Sequence, residues 1–152
     1  MPLHGYTTDR RPPSLMDHVF AHPFELTLAT WCGLAGAMLA ASTITGVQVS
    51  PTLDRLPWWL SVMVGALLVV GGICQVWGLF DDSDDIAVGW KIERVGLILS
   101  GSAWSSYTLA IVYLIPGAVL SWSLGLAILT MLGLRFTATV KEEQRIRKAI
   151  RQ

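Results

Sequence analysis

The sequence predicts an all-α polytopic membrane protein: a four-transmembrane-helix bundle with a short N-terminal interfacial helix and a charged, helical C-terminal tail. Three observations carry that prediction. Across 152 residues, 53% are hydrophobic and 14% charged, with a mean hydropathy of +0.53, which excludes a disordered chain and an ordinary soluble domain. The charges are segregated, leaving gaps of 28 residues after Glu25, 25 after Arg55 and 40 after Arg94. A spanning helix needs roughly 20 apolar residues at about 1.5 Å each. The first two gaps therefore hold one span each. The third is twice as long as one crossing requires and must turn back, and Ile115-Pro116-Gly117 supplies the break near its middle.

The elements follow in order. Residues 1–23 form a leader, polar and Pro-rich, without the apolar stretch of a cleavable signal. Within it Ser14-Leu15-Met16-Asp17 has the spacing of a helix N-cap followed by an acid, and Leu15, Met16, Val19 and Phe20 share one face. That pattern predicts a short amphipathic foot in the headgroup boundary, ended by Pro23.

The transmembrane domain occupies residues 24–139, with spans over about 26–48, 57–80, 95–115 and 117–138, and residues 140–152 form the cationic tail. Along the first span Ala29, Gly33, Ala37 and Ala41 recur every four residues, a smooth stripe on which a second helix can approach closely. The second span begins with Trp58 and Trp59 and carries Trp77 near its other end, where indoles suit the two interfaces. The third contains the most polar run at membrane depth, Ser100 to Thr108, from which Ser102, Ser105, Ser106 and Thr108 are the candidates for a wetted, pore-lining face. The fourth places Gly117, Ser121 and Gly125 on one narrow face as a second packing stripe. In the tail, Glu143 and Arg147 stand four apart in the order that supports a helix.

Orientation follows from the cations. With four spans, both termini and the second connection share one side, and ten of the eleven Lys and Arg residues lie there, Arg55 being the exception. The positive-inside rule makes that side, and with it both termini, cytoplasmic. Cys32 and Cys74 then lie within spans toward a reducing compartment, and no disulfide framework is expected.

Candidate chemistry is sparse. Glu25, Glu93, Arg94 and Arg135 all fall at the cytoplasmic ends of spans. Two readings fit them: each snorkels separately to water, or they meet in an intramembrane ion-pair cluster. Asp81-Asp82-Ser83-Asp84-Asp85 lacks the spaced ligands of a calcium loop and reads as a solvated, electrostatic segment. His18 and His22 are four apart, but a zinc site needs more ligands than the pair offers. No metal and no cofactor is expected. No ionisable residue stands near the middle of any span, which argues against a proton relay or an ion-coupled transporter. The chain carries no phosphate-binding loop, nucleophile elbow or HExxH, and what lies outside the uncharged gaps is too short for a soluble catalytic domain, so no enzyme is expected.

A small multi-span chain ending in Lys141-Glu142-Glu143-Gln144-Arg145-Ile146-Arg147-Lys148 resembles the holins of bacteriophage lysis cassettes. The segment from Trp90 to Tyr107, opening Trp-Lys-Ile-Glu-Arg-Val-Gly, is similar to small membrane proteins of actinobacterial phages. The resemblance implies monomers that accumulate, then cluster and permeabilise the cytoplasmic membrane, releasing an endolysin. Two other readings use the same residues. One is a non-enzymatic structural or regulatory subunit, or a superinfection-exclusion factor, docked on a larger membrane complex. The other is a small channel or transporter subunit. The expected partners are the lipid bilayer and either further copies of the chain or a larger membrane complex. Nucleic acid is not expected, since tail cations beside a last span are accounted for by anionic lipid.

Overall fold

The computed structural model describes residues 22–46, 57–80 and 86–150, and the structured part of these is helical throughout. The predicted N-terminal foot, His18 and the Asp81–Asp85 segment lie outside the described residues. Four helices follow one another: α1 Pro23–Thr45, α2 Trp58–Phe80, α3 Ile86–Leu114 and α4 Val119–Ile150. Each contains a window long and apolar enough to cross a membrane.

Local sequence explains the boundaries. Pro23 opens α1, where its missing N–H costs nothing, and Gly46 closes it in the left-handed region (φ 68°), donating its N–H to Ser42 O at 3.0 Å. Between α3 and α4 the chain reverses through Pro116-Gly117, with the Ala118 N–H donating to Ile115 O at 2.9 Å. Two helices run well past the apolar limits of the sequence. α3 begins at Ile86, ahead of the charged Lys91-Ile92-Glu93-Arg94, and α4 continues without a break into the tail as far as Ile150. Hydropathy marks where hydrocarbon ends, whereas helix ends are set by caps and breakers; no Pro interrupts either extension, and Gly89 is carried within α3.

The main packing is between chain neighbours: α1 on α2, α2 on α3, and α3 on α4. Leu28, Cys32 and Leu39 of α1, Val64 and Leu68 of α2, Leu97, Ala103 and Trp104 of α3, and Ile128 and Leu132 of α4 form one buried cluster. Glycine sets how closely the first three helices approach. A Cβ on Gly36 would lie 2.7 Å from Gly65 O and 2.8 Å from Val69 N, and one on Gly72 would lie 2.9 Å from Ala29 O. On the opposite side of α2, a Cβ on Gly96 would lie 2.6 Å from Gly71 O, and one on Gly78 would lie 2.7 Å from Gly89 O. These backbones touch because side chains are missing there.

The contacts recur every seven residues: Ala29 and Gly36 on α1, Gly65 and Gly72 on the α1 side of α2, Gly71 and Gly78 on its α3 side, and Gly89 and Gly96 on α3. Seven residues return to the same face when helices wind around each other with a left-handed twist. Four residues overshoot a turn by about 40°. The stripe of Ala29, Gly33, Ala37 and Ala41 therefore drifts off the interface after its first two members: Ala29 and Gly33 meet Gly72, Ala37 and Ala41 are exposed, and Gly36 and Ala40 take the contact with Gly65. On α4 the same drift separates Gly117, exposed in the turn, and half-buried Ser121 from Gly125, which is buried against Thr108 of α3.

Candidate functional site: a charged layer and a hydroxyl flank

One end of the bundle carries the only ion-paired layer among the described residues. Glu25 stands in the first turn of α1, Glu93 and Arg94 about two turns into α3 and just ahead of its uncharged part, and Arg135 where the hydrophobic part of α4 ends. Arg135 joins three helices. Its Nη1 lies 2.9 Å from Glu25 Oε1, and its Nε donates to Glu93 Oε1 at 2.7 Å. Glu93 is only 3% exposed, held over Gly78 of α2, where a side chain would collide with the Glu93 backbone. Arg94, the next residue of α3, reaches further along α4, donating to Thr139 O at 3.3 Å and to Glu143 Oε2. His22 Nδ1 lies 3.8 Å from the same Glu25 oxygen.

Glu25, Glu93 and Arg135 are brought together, and Arg94 pairs instead with Glu143, a partner that residue-by-residue inspection of the spans missed because it lies in the tail. The contact of Thr108 with Gly125 fixes the antiparallel register of α3 and α4, and the same register sets Arg94 opposite Thr139. Fully snorkelled charges would leave Glu93 accessible, and it is not.

Deeper in the bundle, Gln75 of α2 donates through Nε2 to Ser100 Oγ at 2.8 Å and to Gly96 O at 3.3 Å, tying α2 to α3 where Gly71 and Gly96 bring the backbones together. Ser100 is fully buried. The other hydroxyls of the polar run do not converge on one channel. Ser102 is exposed and returns its hydroxyl to Ile98 O at 2.9 Å; Ser105 and Ser106 are half-buried; Thr108 is buried against Gly125, its Oγ1 without a hydrogen-bond partner. A single chain thus encloses no hydroxyl-lined pore among the described residues. Ser105 does line an open groove of about 250 Å³ between α3 and α4, with Gly101, Leu129, Gly133 and Phe136.

No group of three or more potential metal ligands occurs among the described residues. No protein-family model matches the chain, and neither a curated protein sequence nor a solved structure does.

Proposed function

We propose that the chain is a holin-like protein, which assembles with copies of itself and permeabilises the cytoplasmic membrane during phage lysis. Both termini then face the cytoplasm, as the distribution of cations argues. The observation that carries this reading is the flank of α3 that bears Gly101, Ser102 and Ser105. It is polar, partly exposed and bordered by the open α3–α4 groove. In one chain surrounded by lipid, Ser102 is tolerated because its hydroxyl is satisfied by its own helix, which hides most of its polarity. When several chains gather with these flanks inward, the same hydroxyls are free to exchange that bond for water. A satisfied monomer and a wet assembly are what delayed permeabilisation requires. The absence of any ionisable residue near mid-span disfavours coupled transport and leaves this reading intact.

Replacing Ser102, Ser105 and Ser106 together with Leu tests it. The triple variant inserts normally, and membrane depolarisation after induction, followed with a potential-sensitive dye, is delayed or abolished. Depolarisation on the unchanged schedule removes the hydroxyl flank from the mechanism. Growth unaffected by the wild-type chain, together with stable co-purification of another membrane protein, makes it a subunit of a larger complex instead.

A further inference from the structure

We propose that Arg135 is a latch which holds α4 closed over α3, and that its release is the conformational step preceding assembly. The inference rests on the hole-forming reading for its purpose, but its mechanical content stands on four features of α4. First, α4 is the least buried of the four spans, with 17% of its apolar window inside the bundle against 28–39% for the others. Its main apolar seat is a single neighbour, α3. Second, that seat is incompletely filled: the groove of about 250 Å³ runs between Leu97, Gly101 and Ser105 on one side and Leu129, Gly133 and Phe136 on the other. Gly101 and Gly133 have nothing within 4 Å of where a side chain would start. Third, α4 joins α3 through a turn at Pro116-Gly117, with Gly117 exposed and unobstructed, a connection about which a helix can swing. Fourth, the fixed points lie beyond the apolar part of α4, away from that turn: Arg135 bonds Glu25 of α1 and Glu93 of α3 at once, and Arg94 of α3 bonds Thr139 O and Glu143 further along.

A span hinged at one end, loosely seated along its apolar length and pinned electrostatically where that apolar part ends has two natural positions. The closed one covers Ser105 and buries Thr139, which is 1% exposed. The open one uncovers the hydroxyl flank of α3. Opening is unfavourable for an isolated chain, because it separates charges in a poorly hydrated layer and leaves two carboxylates and a guanidinium without partners. It becomes favourable where water enters that layer or where a neighbouring copy supplies the missing charges.

Accessibility of Thr139 reports the state of the latch without reference to lysis. In a background with Cys32 and Cys74 replaced by Ala, Thr139→Cys is introduced, and modification by N-ethylmaleimide is timed in detergent micelles and in proteoliposomes. With Arg135 intact the thiol reacts slowly. Arg135→Gln accelerates modification by at least about ten-fold, since two carboxylates are left unpaired. In the triple variant Glu25→Gln, Glu93→Gln, Arg135→Gln the charges are removed together, and the slow rate returns. Equal rates in the wild-type and Arg135→Gln backgrounds overturn the latch. Fast modification in both Arg135→Gln and the triple variant also overturns it, because Arg135 then acts by packing and not by pairing. Depolarisation is scored separately on the same variants: earlier onset in Arg135→Gln joins the latch to hole formation, whereas an unchanged or absent depolarisation with the predicted labelling pattern keeps the latch and discards the hole.

Discussion

The three-helix unit of α1, α2 and α3 and the fourth helix are built on different principles. In the first, glycines spaced seven residues apart bring backbones into direct contact, and Gln75 adds a hydrogen-bonded cross-tie at depth. In the second, only Gly125 has a comparable close approach, and pairing at the charged end does much of the holding. Lipid tails are as apolar as leucine, so burying apolar surface drives little association inside a bilayer, and close contact and polar pairing take over. The difference between the regions is thus one of reach: many short contacts along the helices in one, a few charged contacts at one end in the other.

Substitutions that crowd or unpair these regions separate the two modes. Gly36→Leu places a side chain where Gly65 O and the Val69 N already stand, and it is expected to cost about 3 kcal/mol or more by overpacking, measured by reversible unfolding in mixed micelles. Arg135→Gln is expected to cost about 3 kcal/mol in the same assay, the lower end for a broken buried pair, since Glu25 and Arg135 keep 18% and 15% of their side-chain exposure. Its effect is concentrated in α4, whereas that of Gly36→Leu is concentrated in α1 and α2, and hydrogen exchange by segment distinguishes them. Gln75→Leu removes two hydrogen bonds and leaves Ser100 Oγ without its donor, for an expected loss of about 1–2 kcal/mol. Thr108→Val runs the other way: it deletes a buried hydroxyl that has no partner, and a gain of up to about 1 kcal/mol is expected. Gly133→Ala meets open space and should move stability by less than about 0.5 kcal/mol, so a large loss there would show that the α3–α4 groove closes more tightly than its geometry indicates.

The four spans were legible because hydrocarbon excludes charge, and the gaps after Glu25, Arg55 and Arg94 record that exclusion in one dimension. The turn at Pro116-Gly117 was legible for a local reason, the missing N–H of proline and the freedom of glycine. Packing faces were less so. A four-residue rhythm at Ala29, Gly33, Ala37 and Ala41 catches the eye, but the interface uses seven, and which of two overlapping rhythms meets a neighbour depends on how the helices twist together. The four charged residues could be named from sequence, whereas their partners could not, since pairing depends on the register between α3 and α4. Thr108 shows the same limit. Its place in a polar run suggested a wetted face, and only the approach of Gly125 reveals that it is shut inside.

One consequence of the unbroken α4 is mechanical. At about 1.5 Å per residue its 32 residues make a rod of about 48 Å, and Arg135 sits close to the midpoint. While the ion pairs hold, that midpoint is a fulcrum, and a push on the outer end moves the inner end by a similar distance in the opposite direction. Once they part, the pivot shifts to the Pro116 turn, the lever arm roughly doubles, and the outer tip sweeps about twice as far for the same angle.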